Sequence, residues 1–310
     1  MNQQLPQHSN GVLLNLDELL QYKAQTVRWL PPAKSLWSQL NGQHESRSKG
    51  RGMNFSEVRQ YQAGDDIRSI DWRVTARTGK THTKIFSEER EQPVILYLDM
   101  SNSMMFGSTL LLKSVQLAHL ASQLCWLTIA SKDRIGAVID DGQKLTEIKP
   151  SSSHHAPLRI LQQLIATNNQ SVQSSKSACQ TDFSMALKSL NRLSPKGSDI
   201  IFLSDFSRYK DSDYSLLNQM RQHNRIRFVH FYDPLEQGDT LFKGMKHVSD
   251  GQRTQWFNFS SKAEKNKLKS AFEEHQQQIK DLCLRLAIPR SSITSSEPLM
   301  SQISGGKNDA

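Results

Sequence analysis

Four side chains in this 310-residue sequence have the types and the placement to gather around a hard cation. Asp99, Ser101 and Ser103 fall within PVILYLDMSNSM, residues 93–104, and Asp205 ends DIIFLSD. Each aspartate closes an apolar run, VILYLD and IIFLSD, that reads as a buried strand. Carboxylate and hydroxyl oxygens are hard donors, so the set favours Mg²⁺ or Mn²⁺ over zinc. No His or Cys stands among these residues. The same residue types also cap loops and helices, which keeps a purely structural reading beside the metal one.

The elements that must position these residues follow from periodicity. After VILYLD, the stretch SVQLAHLASQLCWLTIA reads as a helix. RIGAVID (134–140) and KLTEIK (144–149) read as two strands joined at Asp140-Asp141-Gly142. APLRILQQLIA, FSMALKSLNRL and YSLLNQMRQ read as helices, and DIIFLSD (199–205) and IRFVHFYD (226–233) as core strands. A long helix, SSKAEKNKLKSAFEEHQQQIKDLCLRLAI, carries Ser260 or Ser261 as its cap. Apolar strands alternating with helices predict an α/β domain, with an open, mostly parallel sheet covered on both faces. Ligands of such folds sit beyond the carboxyl ends of the strands, where Asp99 and Asp205 fall.

The expected organisation has four parts. Residues 1–42 form an N-terminal helical segment, LLNLDELLQYKAQTVRWL, ended by Pro31-Pro32. Residues 43–90 form a charged, glycine-containing segment, 91–290 the α/β domain, and 291–310 a Ser- and Gly-rich disordered tail. Within the second part, AGDDIRSIDWRVTAR holds Asp65, Asp66, Arg68, Asp71, Trp72, Arg73 and Arg77. These residues suit either an ion-pair network that fixes the segment or a docking surface for a partner.

Composition narrows the function. The apolar fraction of 36% and the mean hydropathy of −0.58 suit a soluble globular chain. The longest apolar candidate, Leu110–Ala130, is broken by Lys113, Gln116, His119 and Gln123, so no membrane span is expected. The N-terminus lacks the pattern of a signal peptide, and Cys125, Cys179 and Cys283 form no CxxC, which favours reduced thiols and a cytoplasmic setting. The net charge of +9 is spread along the chain, which argues against a dedicated nucleic-acid site. No G-x-x-x-x-G-K-[ST] or G-x-S-x-G motif is present, and His154-His155 lack the spacing of a zinc site.

D-M-S-N-S resembles the D-x-S-x-S metal motif of von Willebrand factor A-like domains. That resemblance implies a site completed by a threonine ahead of a later helix and an aspartate after a later strand. The positions here are Thr181 in QTDFSMAL and Asp205, giving Asp99, Ser101, Ser103, Thr181 and Asp205. The chain departs from the family's frequent Gly-Gly before the threonine, with Cys179-Gln180 there. The upstream block GRGMNFSEVRQYQAGDDIRSIDWRVTARTGKTHTKIFSEER, together with DPLE at 233–236, closely resembles the bacterial domain-of-unknown-function 58 proteins. This likeness covers about residues 45–290. Many relatives carry membrane helices ahead of the block, and this chain resembles a soluble member.

The resemblance implies a non-enzymatic, metal-dependent protein-binding module. It would serve as adaptor or substrate recruiter for a MoxR-type AAA+ ATPase, acting on an unknown protein client. The alternative is a metal-assisted hydrolase that uses an ion at Asp99 and Asp205. That version needs a general base, for which Asp182 is the nearby candidate.

Overall fold

The computed structural model describes residues 5–28, 53–88, 91–173, 180–238, 244–249 and 254–304. The chain divides into two compact units, one formed by residues 1–40 and 92–310, the other by residues 41–91.

In the smaller unit, strands β1 (Met53–Gln60) and β2 (His82–Glu88) pair antiparallel. Between them lie a 3-10 turn over Ile67–Ser69 and a short helix, α2 (Trp72–Thr78). The sequence marks where the turn and the helix begin and where the helix ends. Asp66 accepts a hydrogen bond from the Arg68 amide, and Asp71 accepts from the amides of Arg73 and Val74, as N-cap residues do. Gly79, at φ 66°, ends α2 in the left-handed conformation that glycine adopts without strain.

The larger unit begins with α1 (Leu16–Arg28). Its core strands are β3 (Pro93–Asp99), β4 (Arg134–Asp140), β5 (Leu145–Ser151), β6 (Asp199–Ser204), β7 (Arg225–Tyr232) and β10 (Arg290–Thr294). They form one sheet in the order β10-β7-β6-β3-β4-β5, parallel except for the edge strand β5. A separate hairpin joins β8 (Met245–Ser249) and β9 (Thr254–Asn258).

Helices cover both faces, as the apolar strands require. On one face α1, α3 (Lys113–Ala130), α4 (Ala156–Gln173) and α8 (Leu299–Ser304) enclose Leu96, Leu98, Ala137, Ile139, Leu203 and Phe231. On the other, α5 (Phe183–Leu193), α6 (Tyr214–His223) and α7 (Lys262–Leu286) enclose Ile95, Tyr97, Ile200, Phe202 and Phe228. Ser261 caps α7, its hydroxyl accepting from the Glu264 amide.

Helix α3 is buried along nearly its whole length although it carries Gln116, His119, Ser122 and Gln123. Packing partners satisfy several of these groups: His119 pairs with Glu18 of α1 at 2.7 Å, and the Ser122 hydroxyl donates to the Leu19 carbonyl. A helix too polar for a bilayer is thus suited to the centre of a globular domain. Among the described residues, no helix is long and apolar enough to cross a membrane.

The C-terminal expectation needs correction. Residues 291–304 are not a disordered tail, because β10 pairs with β7 from Arg290↔Phe228 to Thr294↔Tyr232 and α8 packs on the core. Serine-rich composition hid a strand of which Ile293 is the buried residue, while main-chain pairing supplies the rest. Trp29 and Leu30 of the N-terminal helical stretch lie outside the described residues, as does Cys179.

Candidate functional site

Register brings the site together. Asp99 lies level with Asp140, and Leu98 with Leu203, so β3, β4 and β6 end at one height. Counted in chain order within the sheet, the strands run 3-2-1-4-5-6, and the order reverses between β3 and β6. The helices after these two strands cover opposite faces, which opens a crevice where doubly wound sheets place their ligands.

Asp99 is buried at that point. Its Oδ1 accepts from the Ser101 amide at 3.1 Å and from Arg208 Nη2 at 2.9 Å, and its Oδ2 from the Ser204 hydroxyl at 2.6 Å. The Ser101 and Ser103 hydroxyls stand 3.3 Å apart, and the Ser207 hydroxyl donates to that of Ser103 at 3.1 Å. Asp205 Oδ1 accepts from the Ser207 amide, and Oδ2 from the Lys113 ammonium at 3.0 Å. Phe206, between Asp205 and Ser207, takes φ 56°. This left-handed turn costs a bulky residue roughly 1–3 kcal/mol. A stacked Phe228 ring at 4.4 Å and a hydrogen bond that the Phe206 amide donates to the Ser204 hydroxyl hold it, and it folds Ser207 and Arg208 back over the sheet edge.

Thr181 reaches the same cluster by another route. The Gly142 carbonyl, in the β4–β5 turn, accepts from the Gln180 and Thr181 amides. The Thr181 hydroxyl then donates to Asp140 Oδ1 at 2.8 Å and accepts from Arg208 Nη1 at 3.1 Å. All five sequence-derived positions therefore meet at one edge, with Thr181 turned towards Asp140.

Two cations, Arg208 and Lys113, lie within this group. Arg208 Nη2 donates to Asp99, to Asp140 at 2.8 Å and to the Tyr97 hydroxyl at 2.9 Å. The ammonium of Lys113, only 1% exposed, bridges Asp205 and Glu236 at 3.0 and 2.6 Å. These partners divide the two aspartates. Burial lifts the Asp99 carboxyl above its ordinary range; Arg208 opposes the rise, and Asp205 and Asp140 add to it. Burial acts on Asp205 in the same sense, but Lys113 and the Ser207 amide outweigh it and hold that carboxyl well below the usual range. Burial would likewise favour neutral Lys113 and Arg208, and their carboxylate partners overcome it.

The donor set fits a small ion in part. Neighbouring oxygens of an octahedral Mg²⁺ shell stand about 3 Å apart when the bonds are about 2.1 Å. The serine hydroxyl spacings of 3.1 and 3.3 Å are close to this. Among the described residues, no three His, Cys, Asp or Glu side chains gather as a metal site by themselves, so an ion here relies on hydroxyls. Asp99 and Thr181 have oxygens already engaged by Arg208.

Sequence reasoning missed Tyr97, Lys113, Asp140, Arg208 and Glu236. Asp140 carried a usable signal, since RIGAVID ends in aspartate as the other two strands do. Lys113 stood only as a break in an apolar run, and Arg208 had no local signature. The DPLE stretch proves to be a bracket. Asp233 accepts from the Ser108 amide and the Ser295 hydroxyl, tying the loop after DMSNSM to the end of β10. Glu236 then reaches Lys113. Asp182, the candidate base of a hydrolase, is exposed and pairs with Lys210 at 3.0 Å.

A cavity of about 240 Å³ adjoins the site, lined by Asp205, Ser207, His230, Glu236, Phe272 and His275 among others. Burial, together with the neighbouring His275, pushes the His230 imidazole down to about 3.

The seven residues singled out in the charged segment all belong to the smaller unit. Asp65 pairs with Arg59 at 2.7 Å, and Asp71 lies 3.4 Å from Lys84. Asp66 and Asp71 cap their own turns. Arg68, Trp72, Arg73 and Arg77 are exposed.

A family model described as "Protein of unknown function DUF58" matches residues 57–281. Uncharacterized proteins of Mycobacterium tuberculosis and Mycobacterium bovis are 30% identical over 167 residues, covering 54% of this chain and 51% of theirs. The chain thus spans about half the length of the curated relatives it matches. Among solved structures, a conserved hypothetical protein BatB from Bacteroides thetaiotaomicron matches 69% of this chain and 97% of its own, at 12% identity and a TM-score of 0.39. A von Willebrand factor type A structure from Catenulispora acidiphila matches 49% of this chain and 35% of its own, at 13% identity and a TM-score of 0.30.

Proposed function

We propose that this chain, which belongs to the DUF58 family, is a non-enzymatic protein-binding module whose recognition site is the Asp99–Ser101–Ser103–Asp205 edge. The observation that carries the reading is the convergence of these hard oxygen donors, with the Ser101 and Ser103 hydroxyls 3.3 Å apart, at the switch point of a doubly wound sheet. Ser101, Ser103 and Asp205 would hold Mg²⁺ or Mn²⁺, with Asp99 and Thr181 beside them. Such an ion offers an open, electrophilic position to a partner's carboxylate. The residues themselves orient the donors: Ser204 and the Ser101 amide fix Asp99, and Lys113 fixes Asp205.

The resemblance to adaptors of MoxR-type AAA+ ATPases names the partner to try first, in a cytoplasmic setting. The test measures binding of the chain to such an ATPase in Mg²⁺ and in EDTA, for wild type and Asp99→Ala. Binding that needs both the metal and Asp99 is the expected result. Strong binding indifferent to both would remove this edge as the recognition site and leave the exposed face of the smaller unit to be tested next.

A further inference from the structure

We infer that Arg208 is a tethered cation that closes the donor cluster, and that a divalent ion and the Arg208 guanidinium are alternative occupants of it. The inference rests on the metal-binding reading above and concerns how that site is controlled.

The geometry is specific to this side chain. One guanidinium nitrogen donates to Asp99 Oδ1, Asp140 Oδ2 and the Tyr97 hydroxyl, and the other to the hydroxyl and the carbonyl of Thr181. Two of the five positions expected to serve an ion, Asp99 and Thr181, thus present oxygens to Arg208. Of the other three, the Ser101 and Ser103 hydroxyls stand together beside that of Ser207, and Asp205 accepts from the Ser207 amide and from Lys113. A cation of +2 beside a guanidinium in a buried, weakly screened site meets strong repulsion. Full use of the donor set by an ion therefore requires Arg208 to leave.

Arg208 has a way out that Lys113 lacks. Its side chain is 14% exposed against 1% for Lys113, so it is the less enclosed of the two cations. It also sits two residues beyond Phe206, whose left-handed backbone is held by packing. The segment from Phe206 to Lys210 is thus a short connection between β6 and the 3-10 turn over Asp211–Asp213. Withdrawal of Arg208 removes its hydrogen bonds to Asp99 Oδ1 and the Thr181 hydroxyl together and raises the local negative charge, both of which favour an ion. Asp140 keeps its Tyr97, Thr181 and Gly142 donors throughout.

The test uses Mn²⁺ alone as probe on the full chain, by calorimetric or paramagnetic titration of wild type, Arg208→Gln, Arg208→Lys and Asp99→Ala. Arg208→Gln is expected to bind Mn²⁺ at least tenfold more tightly than wild type, with Arg208→Lys between them and Asp99→Ala weakest. In EDTA the Arg208→Gln protein should melt below wild type, with Mn²⁺ restoring it by a larger shift than wild type shows. Should Arg208→Gln fail to fold, hydrogen exchange on wild type decides. Saturating Mn²⁺ must speed exchange across residues 206–210. Equal or weaker Mn²⁺ binding by Arg208→Gln, or unchanged protection of 206–210 in Mn²⁺-saturated wild type, overturns this inference and leaves the metal reading standing. No Mn²⁺ binding by wild type or Arg208→Gln overturns both.

Discussion

Two regions of this molecule look alike in sequence and differ in kind. The sheet edge gathers Asp99, Asp140, Asp205, Lys113 and Arg208, and the segment 65–77 gathers Asp65, Asp66, Arg68, Asp71, Arg73 and Arg77. At the sheet edge the partners lie 68 to 109 residues apart in the chain, and the carboxylates are nearly sealed from solvent. In the segment the acids cap or pair with groups two to six residues away, apart from the longer Asp71 contact with Lys84, and the arginines point outward. Short-range Asp bonds make caps and turns, which hold a small fold in shape. Long-range buried ones make a site, because each charge there depends on a partner supplied by another element.

The contrast is tested most severely at Lys113. Its ammonium is the buried counter-ion of Asp205, so Lys113→Met leaves a carboxylate without compensation, at a cost of about 3–5 kcal/mol. The double substitution Lys113→Met with Asp205→Asn removes both charges and should recover more than half of that loss. Urea denaturation of the two variants and wild type measures this. A loss under about 1 kcal/mol for Lys113→Met would mean that the sheet-edge charges behave like surface pairs.

What could be read from the sequence follows the same division between local and distant. Strand and helix periodicity alone points to the α/β class, and the strand-end aspartates alone place Asp99 and Asp205 at one edge. Thr181 was legible only through resemblance, because its route runs over the Gly142 carbonyl of a distant turn. The counter-ions were not legible. A lysine at a helix start and an arginine in a loop look the same whether solvated or buried, and pairing across 92 and 109 residues leaves no local trace. The strand at 290–294 was lost for a related reason: its place in the sheet depends on main-chain bonds to β7, which serine composition does not announce.

A second, smaller effect sharpens the picture on the cavity side of the site. His230 is buried and neutral, lowered to about 3 by burial first and by His275 next, with Lys113 and Arg290 acting in the same sense and Asp205 opposing. The unfolded chain has an ordinary imidazole near 6.5. Between these values the unfolded state binds the extra proton. The contribution is therefore complete above about pH 6.5 and is lost as pH falls towards 3, by at most about 1.4 kcal/mol per pH unit. His230→Gln, which keeps an acceptor for Gln276, should flatten the stability profile between pH 4 and 6.5 relative to wild type. Comparing the two proteins cancels Asp99, whose raised carboxyl acts with the opposite sign. Parallel profiles would mean that the imidazole is solvated.

The smallest effects belong to the smaller unit, and they separate its caps from its outward face. The Val74 amide holds the Asp71 carboxyl below its ordinary value against partial desolvation, with the Arg73 amide and Lys84 assisting. Asp71→Ala should speed exchange of the Arg73 and Val74 amides by roughly fivefold, the ordinary effect of a lost N-cap. Trp72, the next residue, is 67% exposed, and Ile67 is 66% exposed. Trp72→Ala should leave those amides unchanged and the denaturation midpoint nearly so, within about 0.5 kcal/mol as for other surface positions. If this face docks a partner, Trp72→Ala weakens ATPase binding without weakening the fold, whereas Asp71→Ala weakens both. Trp72→Ala destabilising the unit as much as Asp71→Ala would erase the distinction between cap and face, and would return the whole segment to architecture.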